Sequence, residues 1–127
     1  MNSEKVFFAF FILLAATLNF GFFIGAFHDG GHHNVFELFA ALVISLIATV
    51  MKFGDRTHMG AVLLATSLVA DLQLFMAAVV WAYAVNIAEP DQVRSLLASV
   101  VSMSGGALLA NITSVVLLVI ETVTVRR

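Results

Sequence analysis

The chain has no cysteine, which removes disulfides, thiolate metal sites and thiol nucleophiles from its chemistry. Its single proline, Pro90, leaves one obligatory break signal in the whole sequence. Charge is scarce too: 11% of residues are Asp, Glu, Lys or Arg, against roughly 25% in an ordinary soluble domain. Five of the six basic residues are split among three separate segments, which argues against a nucleic-acid footprint.

What is present is apolar. Hydrophobic residues make up 61% of the 127, and the mean hydropathy is +1.05. Apolar runs cover residues 5–27, 35–51, 59–88 and 93–123. About 20 such residues, rising 1.5 Å each as a helix, cross the roughly 30 Å hydrocarbon core. The expected fold is therefore all-α: a polytopic, four-transmembrane-helix bundle occupying 1–127 as a single integral membrane domain. No room is left for a separate catalytic domain.

The first run opens like a signal peptide. It is too long for a usual h-region and lacks a clear A-x-A cleavage site, so it counts as a retained span. Gly30–Gly31 predicts a turn before the short second run. Glu89–Pro90 divides the third run from the fourth, proline suiting the start of a helix. Trp81 and Tyr83 fall near the end of the third run, where amphipathic aromatics favour the membrane interface. The last two runs approach about 30 residues and should tilt, bend or project past the lipid, with Gly105–Gly106 as the bend site in the fourth.

In a four-span arrangement Lys5, Lys52, Arg56, Arg126 and Arg127 share one side, and only Arg94 falls on the other, beside Asp29, Glu37, Glu89 and Asp91. Basic residues in short loops stay in the cytoplasm, so the expected topology is N-in/C-in. The expected location is a bacterial inner (plasma) membrane.

Asp71 organises the third run. A carboxylate near the middle of a span costs roughly 2.5–3.5 kcal/mol on insertion scales and rarely faces lipid. Gln73 lies beside it, Ser67 one turn away, Asn111 near the centre of the fourth run and Asn19 in the outer half of the first. Ser104, Ala107, Asn111 and Ser114 follow at three- and four-residue steps and form one stripe. Asp71 and Asn111 share a depth that suits a hydrogen bond between them. Two readings follow: a structural tie between spans three and four, or a proton- or cation-handling carboxylate with Asn111, Asn19 and Ser67 as oxygen ligands.

Small residues form two further faces, Gly21 with Gly25, and Ser102 with Gly106 and Ala110. Faces of this kind allow close helix contact and predict self-association. At the outer end of the first two spans, His28, Asp29, His32, His33 and Glu37 crowd together. Imidazole and carboxylate at that density suggest a divalent cation such as Zn²⁺, or a pH sensor, with solvated turn histidines as the plainer alternative.

Lacking a nucleophile–base pair, the chain is not expected to be an enzyme. The expected function is a small oligomeric membrane protein that forms or contributes to an ion or proton pathway. The alternative is a non-catalytic structural or regulatory accessory subunit of a larger membrane complex. Topology is directly testable, because a chain without cysteine accepts single-cysteine labels cleanly. Gly30→Cys should react with an impermeant reagent from outside, and Arg56→Cys only after permeabilisation. Labelling of both from the same side would rule out the four-span arrangement.

Overall fold

The structure is a computed structural model that describes residues 3–29, 35–54 and 57–125. Four helices follow one another: α1 (Ser3–Asp29), α2 (Val35–Lys52), α3 (His58–Asn86) and α4 (Pro90–Val125). They run alternately up and down and close into a ring, in which α1 packs on α2, α2 on α3, α3 on α4, and α4 on α1. One end of the bundle carries Lys5, Lys52 and Glu121, and the other carries the α3–α4 turn at Pro90.

Local chemistry sets the boundaries. Thr57 caps α3, its side chain accepting the Gly60 N–H at 2.9 Å. At the far end of α3 the Ile87 and Ala88 N–H groups both donate to the Tyr83 carbonyl, at 2.9 and 3.0 Å, and end the helix at Asn86 rather than Ala88. Pro90 opens α4, and the Gln92 side chain reaches back to accept the Glu89 N–H at 3.3 Å, half of a capping box. These caps start α4 three residues earlier than the apolar run at Val93. The Gly30–Gly31 turn lies outside the described residues.

Three stretches, Lys5–Ile24, His58–Asn86 and Pro90–Thr124, are long and apolar enough to cross a membrane. With 18 residues α2 is about 27 Å long, just short of the roughly 30 Å hydrocarbon core. The chain is a small helical membrane protein, and its exterior fits that solvent: Leu72, Phe75, Leu109, Val116 and Val123 are all exposed. The interior combines large apolar side chains with alanines and polar groups. Buried positions recur every three or four residues: Phe8, Ile12, Ala15, Asn19 and Phe22 on α1, and Val100, Ser104, Ala107, Asn111 and Ser114 on α4. That spacing suits nearly parallel helices with interlocking side chains.

Two apolar clusters bracket the centre. Phe8, Ile12, Ala48 and Leu63 pack toward the Lys5–Glu121 end. Phe22, Leu38, Leu74, Ala77 and Val100 pack toward the Pro90 end, with Trp81 against them. Trp81 also meets Phe39 edge to face, with centroids 5.9 Å apart.

The glycines serve the protomer itself. A Cβ on Gly105 would lie 2.9 Å from the Phe23 ring of α1, and one on Gly106 would lie 2.7 Å from Gln73 Nε2 of α3. Consecutive glycines thus admit two different neighbours, and α4 stays one continuous helix across them. Gly21 likewise makes room for the Glu37 carboxyl, whose Cδ would be 3.1 Å from a Cβ there. At Gly21 and Gly106 the missing side chain thus makes room for packing within the bundle. Ala110 packs against the apolar cluster, Ser102 is exposed, and the surroundings of Gly25 lie outside the described side chains.

Gly106→Leu should accordingly lower thermal stability in detergent, on the scale of core overpacking at about 1–3 kcal/mol. Adding Gln73→Ala should recover part of that loss. A shift in oligomeric mass with unchanged stability would return Gly106 to a subunit interface.

Candidate functional site

The centre of the bundle is a polar belt to which each helix contributes. Its sharpest feature is Asp71, on α3 and 7% exposed. The Ser45 hydroxyl donates to Asp71 Oδ1 at 2.6 Å, and the Thr49 hydroxyl donates to Oδ2 at 2.5 Å. Both donors come from α2, four residues apart and so on one helical face. Thr49 Oγ1 also lies 2.9 Å from the backbone carbonyl of Ser45. One hydroxyl proton thus has two acceptors within reach, the carboxylate and a helix carbonyl.

The sequence leads one to expect Asp71 to bond Asn111, and the geometry differs. Asp71 ties α3 to α2, while Asn111 faces α1. With its amide nitrogen on the Ser104 carbonyl at 2.9 Å, Asn19 places its oxygen 2.9 Å from the Leu108 N–H and 3.3 Å from Asn111 Nδ2. Ser104 and Leu108 are the acceptor and donor of one α-helical rung, so the Asn19 amide docks onto the α4 ladder itself. A side chain inserted there is one of the recognised causes of local helix adjustment.

One turn nearer the Lys5–Glu121 end, Thr66 Oγ1 and Ser114 Oγ are 2.5 Å apart, and Thr66 also reaches the Leu63 carbonyl at 2.8 Å. Ser67 and Asn111 are fully buried, and Ser67 Oγ and Asn111 Oδ1 have no protein partner. Gln73, half-buried, lies over Gly106 beside the belt. At the bundle end, Lys5 Nζ pairs with Glu121 Oε2 at 3.4 Å, and Lys52 Nζ sits 4.4 Å from the Phe8 ring centroid.

Of the predicted polar residues, Asp71 belongs to one hydrogen-bonded group and Asn19 with Asn111 to another, while Ser67 is buried without a protein partner and Gln73 lies over Gly106. Ser45, Thr49 and Thr66 are the additions. Their signal was weak: hydroxyl residues are common in membrane helices and carry no charge penalty to betray a role. The i,i+4 spacing of Ser45 and Thr49, on a face that also holds Leu38, Ala41, Ala48 and Lys52, was the available clue.

The divalent cation proposed for His28, Asp29, His32, His33 and Glu37 is withdrawn. Among the described residues no group of three or more His, Cys, Asp or Glu could hold a metal ion. Of that set, Glu37 has a described side chain, and it packs against Gly21 of α1. His32 and His33, with the side chains of His28 and Asp29, lie outside the description, and so does a pH-sensing role for them.

Residues 32–122 match a family described as being of unknown function, DUF6394. No curated protein and no solved structure matches the chain.

The two hydrogen-bonded groups predict different couplings. In a double-mutant cycle, Thr49→Val and Asp71→Leu should interact by about 0.6–1.7 kcal/mol, the range measured between membrane helices. Asp71→Leu and Asn111→Leu should be close to additive. The reverse pattern would restore the direct Asp71–Asn111 bond.

Proposed function

We propose that this chain, which belongs to the DUF6394 family, handles protons through reversible protonation of Asp71 inside the membrane. One observation carries the reading: the hydroxyl pair on α2 can satisfy both forms of the carboxyl group without moving a heavy atom. When Asp71 is ionised, Ser45 and Thr49 each donate to one oxygen. When Asp71 carries a proton on Oδ2, that proton goes to Thr49 Oγ1, and Thr49 turns its own proton to the Ser45 carbonyl at 2.9 Å. A purely structural tie needs only one of these patterns.

Burial favours protons over larger ions. Asn19, Ser67, Ser104, Asn111 and Ser114 are fully enclosed, so a hydrated cation would have to push helices apart, whereas a proton needs only rotating hydroxyls. The remaining features of the proposal are four spans, an N-in/C-in orientation in a plasma membrane, a non-catalytic role and assembly into an oligomer. The juxtaposition of Lys5, Lys52 and Glu121 at one bundle end supports the orientation, since it gathers basic side chains on the proposed cytoplasmic side.

The competing role, an accessory subunit held to a larger complex, uses the same hydrogen bonds as static ties. Proton flux into proteoliposomes separates the two. Wild type should acidify the lumen under an imposed gradient, Asp71→Asn should abolish this while still folding, and Thr49→Val should reduce it strongly. Thr49→Ser should keep it, because the hydroxyl is retained. Wild-type flux no greater than that of empty liposomes would transfer the assignment to the accessory role.

A further inference from the structure

The belt contains two buried oxygens that the protein leaves without a partner, Ser67 Oγ on α3 and Asn111 Oδ1 on α4. Each residue is fully enclosed. Leaving such a group unsatisfied costs roughly 1–3 kcal/mol, so nearly all buried polar atoms find a protein group or an ordered water. Serine in a helix normally has a fallback in the carbonyl four residues earlier. For Ser67 that carbonyl belongs to Leu63, and Thr66 Oγ1 already occupies it at 2.8 Å. Asn111 is constrained as well. Its Nδ2 is committed to Asn19 on α1, so the other arm of the same planar amide turns away from α1.

The two oxygens also lie at nearly one depth. Thr66 and Ser114 touch across the α3–α4 seam and set the register of these antiparallel helices. Ser67 stands one residue from Thr66 toward the Pro90 end, and Asn111 stands three residues from Ser114 in the same direction. At 1.5 Å per residue their Cα atoms differ by only about 3 Å in height. Neither oxygen has a protein partner, so the two side chains do not bond one another directly.

We propose that Ser67 and Asn111 form a binding site for one buried water molecule. The water donates to Asn111 Oδ1, which can only accept, and exchanges a hydrogen bond with the Ser67 hydroxyl. Thr66 and Ser114 border the site on the Lys5–Glu121 side, and Asp71 lies one helical turn from Ser67 on the other. The water thereby joins the α1–α4 amide group to the neighbourhood of the carboxylate. Its part as a proton relay rests on the function proposed above; the site itself does not.

Two readouts address the site independently of flux. A density map resolving ordered solvent should show a peak within about 3.2 Å of both oxygens. Infrared spectra of wild type exchanged into H₂¹⁸O should contain an isotope-shifted O–H stretch of a sequestered water, lost in Ser67→Ala. Asn111→Asp, which keeps an acceptor, should retain that band. The proposal is overturned if the map shows Ser67 Oγ bonded directly to Asn111, or if the band persists in Ser67→Ala. It is also overturned if Na⁺ raises thermal stability over choline at equal ionic strength and Ser67→Ala removes the effect, since the guest would then be a cation. If wild type shows proton flux, Ser67→Ala should reduce it several-fold. A water that is present in a protein without flux would refute the proton-handling role and leave the site intact.

Discussion

Asp71 cannot turn to the surrounding hydrocarbon for solvation, and the arrangement of the bundle follows from that constraint. A span with a carboxylate at mid-depth must place it against protein donors. Here the donors are Ser45 and Thr49, which fix the rotation and height of α3 against α2. The other seams carry polar contacts of their own. Asn19 locks α1 to the Ser104–Leu108 rung of α4, Thr66 meets Ser114 between α3 and α4, and Glu37 lies over Gly21 between α2 and α1. Each joint of the ring therefore has a polar element to define its register. Apolar packing supplies mass at both ends of the belt but little selectivity, because lipid chains solvate Leu and Phe as well as a helix does.

Close approach makes those short polar bonds reachable. Serine, threonine and asparagine have little reach, so their helices must come near one another. Ala41, Ala48, Ala70, Ala77 and Ala107 line the interior, and Gly105 and Gly106 admit Phe23 and Gln73 from two sides. Many large side chains, Leu72, Phe75 and Leu109 among them, face outward, while Phe8, Phe22, Leu38 and Leu74 fill the interior on either side of the polar belt.

Much of this was legible in the sequence, with a clear limit. Four apolar runs gave helices whose ends differ from the observed ones by at most three residues, and the largest difference lies where capping intervenes, at Glu89–Gln92. The stripe Ser104, Ala107, Asn111 and Ser114 is buried throughout, as its spacing implied. Pairing was the part that could not be read. Asp71 and Asn111 are close in depth, but depth says nothing about helix rotation, and a rotation of one residue, about 100°, exchanges one neighbour for another. The glycine faces show the same limit: Gly21 and Gly106 do mark close approach, and the identity of the approaching groups, Glu37 and Gln73 of the same chain, was what spacing alone could not give. The histidine cluster depended on a turn whose direction two glycines leave open.

The two-state character proposed for the Asp71 site bears on how a rigid bundle could move a proton. Conduction through a carboxyl group requires that both protonation states be tolerated, because a site that strongly favours one holds its proton or never accepts it. Pairing with lysine or arginine would favour the ionised form, and an entirely apolar pocket the neutral one. A pair of hydroxyls is different, since each can donate or accept. Thr49 adds the decisive degree of freedom, because its hydroxyl can donate to the Ser45 carbonyl instead when the carboxyl group carries a proton. The adjustment is a rotation about one Cβ–Oγ bond, with no helix displaced. Such a device can sit between two packed apolar clusters without loosening either, which is how a tightly filled interior and a proton-handling role become compatible in this proposal.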